Sequence, residues 1–148
     1  MSERTPTVTL SALIASITAV GQAARVGCRV LAYRESVPLG SSGAFVALVG
    51  EARSFQIGLL SDPLGWQSLD ALAHEGTPEL ADAHVASRLV TLAARALRAS
   101  VPEAAALTLG LPLFVDGGVV IGKDTVVQAA DIVLGHTRAL LVLLERRR

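Results

Sequence analysis

Apolar residues recur at three- and four-residue intervals in some stretches of the chain, and alternate or run in solid blocks in others. Leu10, Leu13, Ile14, Ile17 and Val20 share one helical face, which predicts a first helix from about Leu10 to Val26, closed by Gly27. The longest helical pattern runs from Pro78 to Ser100. Thr77 can cap it, and Pro78 takes the first helical position, where a missing N–H costs nothing. Glu79 and Asp82 fall in its first turn and Arg95 and Arg98 in its last, as the helix dipole favours. Val85, Leu89, Leu92, Ala93 and Ala96 make its apolar face. His84, Arg88, Thr91, Arg95 and Arg98 make a polar stripe, and Pro102 stops the helix. A further helix is expected from Asp62 through Pro63, Trp66, Leu69 and Leu72 to Gly76.

The remaining segments read as strands and turns. Cys28 to Arg34 is a strand, and Glu35 to Gly43, with Pro38, Gly40 and Gly43, is a loop. Ala44 to Val49 and Ser54 to Leu60 form a hairpin around Gly50 to Arg53. Ala104 to Val115 is extended and apolar, but Pro112 suits an edge strand or a bulge only. Turns are expected at Asp116 to Gly118 and Gly122 to Asp124, with a short strand at Val119 to Ile121 between them. Val126 to Leu134 and Thr137 to Leu144 pair across Gly135-His136, a type II′ turn. Leu140 to Leu144 is unbroken apolar sequence and must be covered on both faces. The sum is an α+β domain, helices packed on a largely antiparallel sheet, with the order helix-then-strands occurring twice.

Composition narrows the function classes. The 148 residues have the length of a single domain, 1–148, with 1–8 and 146–148 expected as flexible ends. Only 18% are charged, so most faces should be covered or shared with a partner. Formal net charge is zero and five aromatics are dispersed, which argues against a nucleic-acid surface. Cys28, the single cysteine, excludes a disulfide within the chain and reads as a small hydrophobe beside Val26 and Val30. His74, His84 and His136 lack ligand spacing, so no metal or cofactor is expected. Leu10 to Val20 behind Arg4 has a signal-like core, yet Ser11, Ser16 and Thr18 interrupt it and its apolar residues keep helical spacing. No run reaches the roughly 18 apolar residues of a membrane span, and a cytoplasmic location is expected.

Motifs for chemistry fail on spacing. Gly40-Ser-Ser-Gly43 and Gly117-Gly118 lack the lysine of a phosphate loop and the dinucleotide fingerprint. Asp82, His84 and Ser87 do not form a triad, because residues two apart on a helix do not face each other. Asp124 and Asp131 are single carboxylates with no paired acid.

The order of elements resembles the CheC/CheX/FliY family of chemotaxis phosphatases. The likeness rests on the opening helix, the hairpin around Leu48-Val49-Gly50-Glu51, the helix beginning Asp82-Ala83 and the segment Leu109-Gly-Leu-Pro-Leu-Phe-Val115. The latter resembles that family's Leu-Pro-x-hydrophobic strand, and an apolar hairpin closes the layout. In that family the third helix carries Glu-x-x-Asn, a carboxylate that holds a response regulator and an amide that orients water for attack on its phosphoaspartate. Set against Asp82-Ala83, the Glu position falls on Ala86, the Asn position on Leu89 and a small residue on Ala93. The chain has no asparagine, and Gln22, Gln56, Gln67 and Gln128 lie outside the helix.

The resemblance therefore implies a domain without the phosphatase pair and with no catalytic residue assigned. It acts by contact with a protein, a receiver-domain protein among the candidates, through a face made of Asp82, Ala86, Leu89 and Ala93. Two alternatives stand beside this. One is a structural homodimer joined through the apolar final hairpin. The other is a response-regulator phosphatase using unfamiliar residues such as His84 or Arg88.

Overall fold

The computed structural model describes residues 8–23, 25–37, 42–51, 53–61, 81–116 and 125–147, with the backbone alone for 81–85, 116 and 147. Helix α1 (Leu10–Ala23) begins where Thr9 Oγ1 accepts the Ala12 N–H at 3.1 Å. It ends earlier than Gly27 implied. Arg25 takes a left-handed conformation with φ 61°, its N–H bonding Gln22 O at 3.0 Å while the Val26 N–H bonds Gly21 O at 2.7 Å. This paired arrangement is a Schellman closure, with arginine where glycine is usual.

After α1 come β1 (Cys28–Arg34), β2 (Ser42–Val49) and β3 (Arg53–Ser61). Then follow α2 (Ala81–Ser100), the single turn α3 (Pro102–Ala105), β4 (Thr108–Leu109), β5 (Leu113–Asp116), β6 (Thr125–Leu134) and β7 (Thr137–Arg147). The helix-then-strands order thus occurs twice. One antiparallel sheet runs β1-β6-β7-β3-β2-β4, with β5 also on β2. β4 and β5 share the outer edge of β2, opposite Leu48–Val49 and Ser42–Phe45. Between them Gly110-Leu111-Pro112 interrupts the pairing, where the Gly110 N–H bonds Ala47 O at 2.8 Å. The proline sits on an edge, as its missing donor requires. On the opposite edge, β1 carries a bulge at Leu31, between Val30↔Ile132 and Ala32↔Asp131.

Alternation along the strands divides the core. Ala44, Val46, Leu48, Phe55, Ile57, Leu59, Ile132, Leu141 and Leu143 face the helices. Phe45, Leu60, Ala129, Leu140, Val142 and Leu144 form a second buried cluster on the other face. Phe45 lies over Gly58, where an added Cβ would come within 2.3 Å of its ring. Leu140 to Leu144 is buried throughout, alternate residues entering the two clusters, because β7 lies between β3 and β6. The final hairpin is therefore interior to the sheet, with Leu140 to Leu144 buried and Val126 of β6 left 49% exposed. Gly135 has φ 63°, as a type II′ turn requires of its first residue.

Three further expectations are corrected. Arg146 and Arg147 belong to β7, opposite Ser54 and Arg53, where a flexible end was expected. Val8 is buried in the helix-side core instead of frayed. Ala104 and Ala105 lie in α3, since Pro102 starts a helical turn and only the following segment is extended. The expected helix from Asp62 to Gly76 with Trp66, the helix start at Pro78, and the short strand at Val119 to Ile121 lie outside the described residues.

Candidate functional site

Helix α2 is the element on which the functional expectations fall. Its end is fixed by sequence: Val101 is extended (φ −117°, ψ 115°), as the residue before a proline prefers, and Pro102 opens α3. Ser100 Oγ bonds Ala96 O at 2.9 Å and the Val101 N–H bonds Leu97 O at 2.8 Å, satisfying carbonyls of the last turn.

The helix turns Ala86, Val90, Ala93, Ala94 and Leu97 inward, and all five are fully buried. They pack with Leu13 and Ile17 of α1 and the helix-facing side of the sheet. The three alanines on this stripe let the helix approach its neighbours closely. Ala86 and Ala93, two of the four residues expected to meet a partner, are thus core positions and present no surface. Leu89 is half-buried against the same core, and the side chain of Asp82 lies outside the described atoms. The apolar face is rotated from the expected one by roughly one residue, about 100° of helix. Leu92, expected inside, is 36% exposed.

Arg88, Leu92, Arg95 and Ala99 point outward. This outward stripe has neither carboxylate nor amide. The carboxylate and amide that the resemblance implies would both have to stand on an accessible side of this helix. Ala86 cannot stand in the place of a partner-touching carboxylate, because it faces the core.

A charged cluster ties α3 to the sheet. Arg53 donates from Nη1 to Glu103 Oε1 and Oε2 at 3.0 and 2.8 Å, and from Nη2 to Glu145 Oε1. The guanidinium lies 4.8 Å from the centre of the Phe55 ring. The hydrogen bond to Glu145, with the nearby Glu103 charge, pushes the Arg53 pKa further up, so its charge is permanent. Glu103 Oε1 also accepts the Val8 N–H at 2.8 Å. One guanidinium thereby joins the start of β3, the end of β7 and the turn after α2, while Glu103 secures Val8, two residues before α1. Sequence reading missed this cluster, whose members are 50 and 92 residues apart. No local spacing marks such a pair.

Elsewhere, an open groove of about 670 Å³ runs between the start of α1 and the β1–β6 edge. Thr9, Tyr33, Arg34 and Gln128 line it, and Arg34 is paired with Asp131. Among the described residues no group of three or more His, Cys, Asp or Glu comes together as a metal site. Cys28 is half-buried, and burial pushes its thiol pKa up against a hydrogen bond with Thr18. No described helix is long and apolar enough to cross a membrane.

The class these elements define is an α+β fold in which, among the described residues, α1, α2 and the short α3 pack against one face of a seven-stranded antiparallel sheet. No family model matches the sequence, and no curated protein matches it. Solved structures do. The chemotaxis protein CheX from Vibrio vulnificus superposes with a TM-score of 0.71 at 12% identity, over 93% of this chain and 98% of that one. A CheC-like superfamily protein from Shewanella sp. PV-4 gives 0.74 at 9% identity, over 93% and 96%. The CheX–CheY–BeF3–Mg2+ complex from Borrelia burgdorferi gives 0.69 at 13% identity, over 93% and 97%. The chain has the fold of the CheX and CheC-like chemotaxis proteins, as the order of its elements implied.

Proposed function

We propose that the domain is a non-catalytic contact module that binds a response-regulator protein. The observation that carries this reading is the outer side of α2 over residues 86–100, where Arg88, Leu92, Arg95, Ala99 and Ser100 are exposed and the described side chains include no acid–amide pair. The fold supports a signalling role by likeness, since CheX from Borrelia burgdorferi is found in complex with CheY. In this chain the contact persists while water is left unoriented. The test is a titration of the purified chain against receiver domains in their beryllofluoride–Mg2+ form. Saturable, one-to-one binding to at least one is expected, and failure to bind any would overturn the reading.

A second reading, a homodimer, is favoured by one observation. Leu111, Leu113 and Phe114 are 86%, 66% and 60% exposed along the Gly110–Asp116 edge of the sheet. Large apolar side chains at an edge strand are suited to pairing with another copy. Sedimentation equilibrium decides it: a concentration-independent monomer rejects the dimer, and a Leu113→Lys change that abolishes self-association places the contact on this edge.

A further inference from the structure

The start of α1 draws little polar support from its own residues. The helix has no acidic residue in its first turn, and the Thr9 hydroxyl that caps it accepts the Ala12 N–H at the surface. The anion that a helix start favours comes from another element. Glu103, in the single turn α3, holds Oε1 2.8 Å from the Val8 N–H, and Val8 and Leu10 are buried on either side of exposed Thr9. That same oxygen accepts Arg53 Nη1 at 3.0 Å. The grip on Val8 and the grip on Arg53 thus share one atom.

The ion pair itself is not a match of two nitrogens with two oxygens. Arg53 meets both oxygens of Glu103 from Nη1, sends Nη2 to Glu145, and leaves Nε buried with no hydrogen-bond partner among the described residues. Two parallel bonds from two nitrogens would hold more firmly. Glu145 stands opposite Val126 on β6. Val126 in turn lines the open groove of about 670 Å³ that has Thr9, Leu10 and Ser11 on its α1 side. The charged cluster is therefore next to both the start of α1 and the groove.

We propose that Val8 to Ser11 is a strap, latched through Glu103 to Arg53, and that breaking the latch frees the first turn of α1 as a local unit. Release carries Val8 and Leu10 off the helix-side core and extends the groove across the apolar surface they cover. The rest of the helix stays docked, because Leu13 and Ile17 are fully buried and the closure at Arg25 secures its far end. A salt bridge that only stabilised the whole fold would break only when the sheet unfolds.

The experiment follows amide hydrogen exchange of the full chain by NMR, without urea and at low urea. Ala12 and Leu13, bonded to Thr9 Oγ1 and Thr9 O, report on the first turn. Ile57 and Leu143, paired in the interior of the sheet, report on global unfolding. Wild type is compared with Glu103→Ala, with the milder Glu103→Gln, whose amide oxygen can still accept the Val8 N–H, and with Arg34→Gln. The last breaks the ion pair to Asp131 beside the same groove, which strap release leaves intact. In wild type, Ala12 and Leu13 should exchange faster than Ile57 and Leu143 and without dependence on low urea, the mark of a local opening. Glu103→Ala should speed that local exchange about tenfold or more, as the loss of a hydrogen bond to a charged group implies. Glu103→Gln should do so to a smaller extent, and Arg34→Gln less than twofold. Exchange of Ala12 and Leu13 with the urea dependence of Ile57 and Leu143 overturns the strap, since the turn then opens only with the whole fold. Local exchange left unchanged in a folded Glu103 variant overturns the latch. If Glu103→Ala does not fold, Glu103→Gln decides.

Discussion

Arg25 holds a backbone conformation that costs a non-glycine residue about 1 kcal/mol or more, because its Cβ crowds the next carbonyl. Arg25→Gly keeps the helix closure and removes the crowding. It should stabilise the domain by about 0.5–1 kcal/mol, read as a higher urea midpoint with an unchanged slope. The sequence pointed to Gly27 for this role, since glycine is the usual residue there. The chain instead closes two residues earlier, because the Val26 N–H reaches Gly21 O and a Cβ at Gly21 would stand 2.5 Å from Val26 O. Cys28 packs against the helix-side core but stays half-buried, short of the buried small hydrophobe expected, and burial raises its thiol pKa. Only the thiolate reacts, so iodoacetamide alkylation should stay slow at neutral pH and rise with pH. Its midpoint should lie above that of a free cysteine peptide. A midpoint at or below the peptide's would show that the thiol is not desolvated.

At the scale of the element, the period of α2 was legible and its phase was not. The leucines pulled the expected apolar face toward Leu89 and Leu92, whereas the buried stripe is set by Ala86, Val90, Ala93, Ala94 and Leu97. Small side chains mark close packing, yet they weigh little in any reading of hydrophobicity. Ala93→Leu should therefore overpack the contact between helix and sheet and cost about 1–3 kcal/mol, while Leu92→Ser should stay within about 0.5 kcal/mol of wild type. Chemical denaturation of the pair checks the phase of the helix, and the reverse order would contradict it. The Arg53 cluster belongs to this scale as well, since it joins elements that no local pattern connects. Arg53→Met leaves Glu103 and Glu145 partly buried without their cation and should destabilise by about 2 kcal/mol. Adding Glu103→Gln should restore part of that loss, which a double-mutant cycle measures.

For the whole molecule, the antiparallel sheet and the repeated helix-then-strands order were readable from alternation, turn residues and the proline at Pro112. What escaped was the placement of β7. A five-residue apolar block is compatible with an interface or with a central strand, and only the pairing with β3 and β6 decides it. The likeness to CheX and CheC-like structures at 9–13% identity shows how far a fold persists while side chains change. The proposed function turns on the accessible side of α2, where among the described side chains of residues 86–100 arginine and leucine stand and no carboxylate or amide does. The most direct measurement is the lifetime of the acyl phosphate on a receiver domain that binds this chain, followed with the chain in saturating excess. We expect a lifetime equal to or longer than that of the receiver alone, and a decay accelerated in proportion to the bound fraction would contradict a non-catalytic contact module.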